Sequence, residues 1–281
     1  MSLDGEVSRR TLPTGAGDLA ALVGEPPAGT RIAAPVLLVP GYTGSKEDFL
    51  PVLGPLARAG HCSVAIDLPG QHQSVGPDDP TAYSIDALAK QVTEVLAELA
   101  ESSPPGAHLV GHSFGGLVTR AAIIAGVRPL THVLVGSGPG AIGGRRAEIV
   151  PLMLQVAESE GISALADMVA SMEASDPRMA GVPADVRAFL HQRWLSASTT
   201  GLRVMGDQLL SAPDEVDDLA ATGVRTLVIH GEADDAWPPA VQAEMARRLG
   251  ADHEVVRGSV HSPACEQPEA FVAALLRFWG S

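Results

Sequence analysis

Short, almost entirely apolar runs recur along the 281-residue chain, and segments of helix length separate them. The runs are VLLV at 36–39, CSVAIDL at 62–68, HLVG at 108–111, HVLVG at 132–136 and TLVIH at 226–230, and HEVV at 253–256 is a further possible strand. Strands without polar alternation are typical of a parallel sheet that helices cover on both faces. The pattern therefore predicts an α/β fold with a mostly parallel central sheet.

The segments between these runs have the periodicity of helices. After Ser84, a residue type favoured at helix N-caps, apolar side chains recur with the three- and four-residue spacing of one helix face. They are Ile85, Leu88, Val92, Val95, Leu96 and Leu99. Further helices are predicted for PAVQAEMARRL and for the last segment, from Pro268 to Trp279.

The alternation of strand and helix stops in the middle of the chain. No strand-like run occurs at 141–212, where pieces such as ISALADMVASM and ADVRAFLHQRWL have helical patterns. We interpret 141–212 as an α-helical cap inserted into a core formed by 1–140 and 213–281. Its larger apolar side chains are expected to be mostly ordinary core, because methionine fills irregular gaps between packed helices. They include Met168, Met172, Phe189, Trp194 and Leu195.

Composition narrows the classes of function. The chain has 33 acidic and 19 basic residues, a formal charge of -14, and no cluster of Lys and Arg, so nothing favours binding to nucleic acid or to a membrane. No apolar run approaches the ~20 residues that cross a bilayer, and the first residues have no export pattern. We therefore expect a cytoplasmic protein that acts on a small molecule, in an oligomeric state that the sequence leaves open.

The two cysteines do not indicate a metal site. Cys62 and Cys265 lie far apart in the chain, and neither takes part in a C-x-x-C or Cys/His spacing. We expect two unpaired thiols and no structural metal.

A serine between glycines is the first candidate for chemistry. In HLVGHSFGG at 108–116, Ser113 follows a predicted strand and precedes LVTRAAIIAG, a predicted helix. A G-x-S-x-G pattern alone is a weak signal, and a tight turn without chemistry is the alternative. At a sharp strand-to-helix turn, however, a strained backbone lifts the hydroxyl clear of the sheet, and a Cβ on the neighbouring glycines would clash. Those glycines are Gly111, Gly115 and Gly116.

A serine nucleophile requires two partners. An imidazole must accept its proton, and a carboxylate must orient that imidazole and stabilise its cation. In strand-to-helix turns of this kind the chain order is Ser, then Asp or Glu, then His. Asp234 follows the run TLVIH, and His261 lies between the last predicted strand and the last helix.

These motifs resemble one known family. GHSFGG is similar to the nucleophile elbow, GEAD to the G-x-x-D acid turn, and HSPACEQPEAF to the histidine loop of the α/β-hydrolase fold family, in particular its capped, esterase-type serine members. The resemblance spans nearly the whole chain. It implies a sheet of about eight strands with an inserted helical cap, and the roles of nucleophile, acid and base for Ser113, Asp234 and His261. The G-x-x-D spacing favours Asp234 over Asp235 and Glu232.

The resemblance also implies an oxyanion hole. VLLVPGYTGSKEDF is similar to the loop after the family's third strand, so the backbone N–H groups of Tyr42 and Phe114 would form the hole. Pro40 stands where the family usually has histidine, which removes one N–H and one side-chain donor from this loop. His72 stands in DLPGQHQS where the family commonly has a second glycine. Histidine tolerates a left-handed backbone better than branched residues do, so we expect this turn to survive.

The other histidines have structural interpretations. His112 adjoins Ser113, but the general base must approach from a separate loop. His108, His132 and His230 fall in or beside apolar strands and are expected to be core or strand-end imidazoles, because none has the spacing of a metal ligand. The remaining histidines are expected at the surface.

The resemblance implies hydrolysis of a carboxylic ester of a small, largely apolar substrate through an acyl-enzyme, with no metal and no organic cofactor. Thioesterases, lactonases, perhydrolases and carbon-carbon bond hydrolases of the family share the same triad, and the sequence does not separate them. Family members that open epoxides or remove halide use aspartate instead, so Ser113 argues against both. A ligand sensor with little turnover is the alternative from another class.

Overall fold

The computed structural model describes residues 6–101, 106–176 and 179–280. Eight strands lie in this part of the chain: β1 (Val7–Leu12), β2 (Leu19–Gly24), β3 (Ala33–Val39), β4 (His61–Ile66), β5 (His108–His112), β6 (His132–Val135), β7 (Thr226–Gly231) and β8 (Asp252–Val256). They form one sheet in the order β1-β2-β4-β3-β5-β6-β7-β8. The six strands from β4 to β8 in this order are parallel, whereas β2 pairs antiparallel with both β1 and β4. The predicted fold class is confirmed.

Helices cover the sheet and fill the segment between β6 and β7. They are α1 (Leu50–Arg58), α2 (Ile85–Glu101), α3 (Phe114–Ile124), α4 (Gly144–Ser159), α5 (Ile162–Ala174), α6 (Ala184–Leu195), α7 (Thr199–Ser211), α8 (Val216–Ala221), α9 (Pro239–Leu249), α10 (Pro263–Glu266) and α11 (Pro268–Gly280). Short 3-10 turns occur at Lys46–Phe49 and Pro80–Tyr83. At the start of α2, the Ser84 hydroxyl accepts a hydrogen bond from the Ala87 N–H at 3.2 Å, as expected for an N-cap.

The apolar strands alternate their side chains between two cores, because successive residues of a strand point to opposite faces. In β3, Leu37 and Val39 belong to the core under α2, α3, α8 and α9. Val36 and Leu38 belong to the other core, under α1 and α11. All four are fully buried. This burial on both faces explains why the central strands lack polar positions.

The first two strands were not predicted. β1 has the sequence VSRRTL and forms the exposed edge of the sheet, where only Val7 is buried. An edge strand with one solvated face lacks the continuous apolar run that indicated the central strands. This reason applies to β1 alone, because β2 has the buried apolar run LAALVG, which the sequence analysis did not identify as a strand.

The segment predicted as a cap is helical throughout its described part. It contains α4, α5, α6 and α7, and no strand lies in the described residues between β6 and β7. The limits 141–212 stay a prediction, and residues 177 and 178 within them lie outside the described part of the chain.

Most histidines lie where the sequence indicated, with one exception. His108, His132 and His230 are buried in or at the end of strands. His61, the first residue of β4, was expected at the surface and is instead 7% exposed. Its imidazole ring packs 4.7 Å from the indole ring of Trp279. Cys62 and Cys265 are both free thiols. Within the described ranges, no helix combines the length and the apolar character needed to cross a membrane.

Candidate active site

Ser113 lies at a sharp turn between β5 and α3. Its backbone has φ 54° and ψ -120°, a conformation that residues with a Cβ rarely adopt, and the residue is 6% exposed. The turn is possible only with glycine beside it. A Cβ on Gly115 would lie 2.4 Å from the Pro40 carbonyl oxygen, and a Cβ on Gly116 would lie 2.4 Å from Ser137 Oγ. The predicted strand-to-helix junction and the predicted need for glycine are both confirmed.

Asp234 and His261 lie together at the same edge of the sheet. Asp234 follows β7, and His261 follows β8 in the loop before α10. His261 Nδ1 lies 3.0 Å from Asp234 Oδ1, and the two residues are 7% and 5% exposed. Because an ionised carboxylate only accepts hydrogen bonds, Nδ1 carries the proton of this pair. In the neutral ring, Nε2 is then left free to accept a proton.

The Asp234 carboxylate is kept ionised by its hydrogen bonds. Burial would raise its pKa, but the hydrogen bond from His261, the Ala236 N–H at 2.8 Å and the Gln242 amide at 3.0 Å together hold the pKa below its usual value. A carboxylate that stays charged can stabilise a protonated imidazole.

The two alternative acids point elsewhere. Asp235 pairs with Arg146 of α4, at 2.6 Å from Nη2, and the Glu232 carboxylate accepts a hydrogen bond from the Gly258 N–H at 3.3 Å. Of the three carboxylates considered, Asp234 is the one that His261 contacts.

His112 holds the histidine loop next to the serine. Its Nε2 donates a hydrogen bond to the backbone carbonyl of His261 at 2.9 Å, and the two rings lie 4.9 Å apart. Burial, with a smaller contribution from the His261 charge, lowers the pKa of His112 to about 4, so the ring is neutral at pH 7. Among the described residues no hydrogen bond joins Ser113 Oγ to His261. The structure thus joins Asp234 to His261 directly, and it links the serine to the histidine loop through His112.

The loop after β3 passes against Ser113. A Cβ on Gly41 would lie 3.0 Å from Ser113 Cβ and 3.5 Å from its Oγ, so the loop passes close to the serine side chain and leaves little room for a side chain at residue 41. Neither Tyr42 nor Phe114 donates a backbone hydrogen bond within the described part of the chain. Phe114 begins α3, and the first N–H groups of a helix have no partner inside it.

The turn that contains His72 has the predicted form. His72 has φ 37°, in the left-handed region, and the turn is closed by a hydrogen bond from Gly70 N–H to the Ser74 carbonyl at 2.9 Å. The histidine therefore occupies the position where glycine is common without loss of the turn.

Three helices of the segment between β6 and β7 contact the loops at this edge of the sheet. In α4, Arg146 binds Asp235; in α6, Arg193 lies 2.6 Å from Asp48. In α7, the Leu202 carbonyl accepts a hydrogen bond from the Tyr42 hydroxyl at 2.7 Å. These contacts lie over the loops that hold the candidate residues, which are themselves buried.

The sequence did not indicate every residue that shapes this site. Gln242, on α9, donates to Asp234 Oδ2 and to the Trp237 carbonyl at 2.8 Å, and it is fully buried. A glutamine eight positions after the acid carries no recognisable signal, because its contact exists only once α9 packs beside β7. Within the described residues, no group of three or more His, Cys, Asp or Glu side chains could hold a metal ion.

Comparison with known proteins identifies the family. Residues 36–274 match the alpha/beta hydrolase family, and the chain belongs to that family. The dihydrolipoyllysine-residue acetyltransferase component of the acetoin cleaving system from Cupriavidus necator is 29% identical over 265 residues. This match covers 88% of the present chain but 64% of the length of that curated relative.

Solved structures share the fold at low sequence identity. A structure from a study of carboxylesterases of the thaumarchaeon Nitrososphaera gargenis has a TM-score of 0.76 at 19% identity, with 96% of this chain and 98% of that chain covered. The enol-lactonase from Burkholderia xenovorans LB400 has a TM-score of 0.75 at 21% identity, with 97% and 100% covered. At these identities the likeness concerns the fold.

Proposed function

We propose that this protein is a serine hydrolase that cleaves a carboxylic ester of a small, largely apolar substrate through an acyl-enzyme. The observation that carries the proposal is the 3.0 Å hydrogen bond between His261 and Asp234, both buried at the edge of the sheet where Ser113 occupies a strained turn. Family membership supports the same chemistry. The arrangement contains a nucleophile, a base and an acid that orients the base.

In the first half of the reaction, Ser113 Oγ attacks the carbonyl carbon of the ester while His261 Nε2 takes the hydroxyl proton. Asp234 stabilises the imidazolium that forms. The carbonyl oxygen becomes an oxyanion, which accepts hydrogen bonds from the N–H groups of Tyr42 and Phe114. Collapse of this intermediate breaks the bond to the alcohol, and His261 returns the proton to the leaving oxygen.

In the second half, water replaces the alcohol. His261 removes a proton from the water, whose oxygen attacks the acyl carbon, and the same two N–H groups stabilise the second oxyanion. Return of the proton to Ser113 Oγ releases the acid. The residues of this chain supply every proton transfer, and water is the only co-reactant.

The helices α4 to α7 support the expectation of a cap. We propose that the cap spans 141–212 and covers the site, since three of these helices bind the loops at the carboxyl edge of the sheet. The Met- and Ala-rich composition of these helices favours an apolar acyl or alcohol group. We further propose that the protein works in the cytoplasm.

The test is a comparison of two serines. Ser113→Ala should lower the turnover of an activated short-chain ester by ~10³-fold or more, because the nucleophile is lost. Ser137→Ala is the matched control: Ser137 is also buried and its hydroxyl has no hydrogen-bond partner among the described residues, so this variant should keep its activity. Circular dichroism confirms that both variants fold. A Ser113→Ala variant that kept most of its activity would remove this serine from the mechanism.

The same assay separates the rival chemistries. A panel of esters, thioesters and lactones of varied acyl length, run on the wild type and on Ser113→Ala, defines the bond that is cleaved. A stoichiometric burst of product followed by almost no steady state would favour the ligand sensor over the enzyme.

A second candidate function is acyl transfer to an acceptor other than water. It is favoured by the relative from Cupriavidus necator, whose name describes an acetyltransferase component. Both functions share the acyl-enzyme and differ only in the nucleophile that removes the acyl group. Addition of a small dithiol to the ester assay distinguishes them, because a transferase would form thioester faster than free acid.

A further inference from the structure

One buried side chain donates two hydrogen bonds to the loop that follows β3. Gln71, which is 4% exposed, donates from Nε2 to the Gly41 carbonyl at 2.7 Å and to the Tyr42 carbonyl at 3.1 Å. Its Oε1 accepts a hydrogen bond from the Leu68 N–H at 3.0 Å. Both ends of the amide are therefore used, and the side chain joins the turn after β4 to the loop after β3.

This contact fixes the direction of one particular N–H. The Gly41 carbonyl and the Tyr42 N–H belong to the same peptide group, which is planar, and in a trans peptide they point in opposite directions. Because Gln71 binds the carbonyl, the Tyr42 N–H is directed away from Gln71. A Cβ on Gly41 would lie 3.0 Å from Ser113 Cβ, so this loop passes close to the serine, and the Tyr42 N–H has no protein acceptor among the described residues.

Gln71 also compensates for the missing hydrogen-bond donor at Pro40. Pro40 has no backbone N–H and no polar side chain, so it cannot donate a hydrogen bond within the loop. Gln71 supplies two hydrogen bonds to the two carbonyls that follow Pro40. Its amide therefore replaces, from a different segment of the chain, donors that this loop lacks.

We infer that Gln71 is a positioning residue that aims the Tyr42 N–H at the oxyanion formed on Ser113. This inference rests on the proposed function. Gln71 touches neither the substrate nor the reacting atoms; it acts through the peptide between Gly41 and Tyr42. Loss of its hydrogen bonds should therefore weaken binding of the transition state more than binding of the ester.

The first test replaces the amide by an apolar side chain of similar length. Gln71→Met should lower kcat for an activated ester by about 10- to 100-fold and change KM by less than about threefold, since one oxyanion donor typically contributes about 10²- to 10³-fold. The affinity for an alkyl boronic acid, which forms a tetrahedral anion on the serine, should fall in parallel with kcat/KM. Unchanged kcat, or a loss that the boronic acid does not follow, would overturn the inference.

The second test uses pH as a readout that a purely structural role would not move. In Gln71→Glu the ionised carboxylate cannot donate and repels both carbonyls, whereas the protonated carboxyl group can again donate to the Gly41 oxygen. The ratio of variant to wild-type kcat should therefore rise as the pH is lowered from 8 to 5. Gln73→Glu is the matched control, because this exposed residue two positions away gains the same charge and its ratio should stay constant.

The outcomes separate the inference from the proposed function. If Ser113→Ala keeps its activity, the function fails whatever the Gln71 variants do. If Ser113→Ala is inactive and the Gln71→Glu ratio does not change with pH, only the role of Gln71 fails. Should Gln71→Met not fold, the pH dependence of the Gln71→Glu ratio decides the question by itself.

Discussion

At the scale of single residues, Ser113, the proposed nucleophile, has a strained backbone. Its φ of 54° with ψ of -120° lies outside the regions that residues with a Cβ normally populate. Such a conformation costs on the order of 1–3 kcal/mol and persists only where the surroundings impose it. Here β5 on one side and α3 on the other impose it, and the hydroxyl gains its position at the expense of stability.

This strain makes a prediction about stability. Ser113→Gly should be more stable to urea than Ser113→Ala by about 1 kcal/mol, because glycine adopts positive φ without a steric penalty. Both variants lack the hydroxyl, so the comparison isolates the backbone. Ser137, which is not among the residues with positive φ, is the control position, and there alanine should be the more stable substitution. Equal unfolding midpoints for the two Ser113 variants would show that the turn stores no strain.

At the scale of elements, the segment between β6 and β7 is anchored at its base by one arginine. Arg120 extends from α3 and is 2% exposed. It binds both ends of the segment through the carbonyls of Gly138, Pro139 and Pro213 and the carboxylate of Glu215. The helix that follows Ser113 thus also holds the chain where it leaves the sheet and where it returns.

Removal of this anchor should destabilise the protein. Arg120→Met should lower the free energy of unfolding by about 2–4 kcal/mol, because it leaves buried carbonyls without a donor and Glu215 without its cation. Arg120→Lys should recover only part of this loss, since an ammonium group cannot span acceptors on both sides of the segment as a guanidinium does. Urea unfolding measures both effects.

The matched control is a second arginine, which binds only the carboxyl-terminal end of the segment. Arg248 pairs with Asp214 and Asp217, but it lies at the surface, where solvent screens ion pairs. Arg248→Met should leave the unfolding midpoint close to that of the wild type. A loss as large as that of Arg120→Met would contradict the role given to the buried anchor.

Burial explains most, but not all, of what the sequence predicted: the buried β2 was missed and the mostly exposed β8 was found. Five of the six parallel strands, β3 to β7, are largely buried on both faces, so each has an apolar run that the sequence pattern detects, whereas β8 is mostly exposed at the other edge of the sheet. β1 and His61 were missed for related reasons: an edge strand is half solvated, and a polar ring can be buried when an aromatic side chain such as Trp279 packs against it. Neither situation is encoded in the local pattern.

At the scale of the whole molecule, the site follows from the direction of the strands. Parallel strands present their carboxyl ends at one edge, so the residues after β3, β5, β7 and β8 meet there although the chain separates them widely. This geometry made Ser113, Asp234 and His261 predictable as a set. The contacts of His112, Gln71 and Gln242 were not predictable, because they depend on the packing of side chains between segments rather than on motif or chain order.

Buried neutral histidines govern how the whole fold responds to acid. Burial lowers the pKa of His108 and of His112 to about 4 and that of His132 to about 3. In the unfolded chain each would bind a proton near pH 6.5, so between about pH 6 and 4.5 the unfolded state binds more protons than the native state. The three histidines therefore make stability fall as the pH is lowered.

One buried carboxyl group acts in the opposite direction. Burial raises the pKa of Asp67 to about 6, although its ion pair with Lys46 at 2.6 Å opposes the rise, so the native state takes up this proton first. Among these four groups it offsets one of the three histidines and leaves a difference of two protons. The free energy of unfolding should then fall by up to about 3 kcal/mol per pH unit between pH 6 and 4.5.

Urea unfolding across this range tests the balance, and a single substitution identifies the groups responsible. His108→Asn keeps a polar atom near the Thr131 hydroxyl, which His108 Nδ1 contacts at 2.8 Å, but cannot titrate. The slope of this variant should be smaller than that of the wild type by about 1 kcal/mol per pH unit, because one proton is removed from the difference. If the free energy of unfolding of this variant changed with pH as steeply as that of the wild type, His108 would have the same pKa in the native and unfolded states. Its burial would then not contribute to the sensitivity to acid.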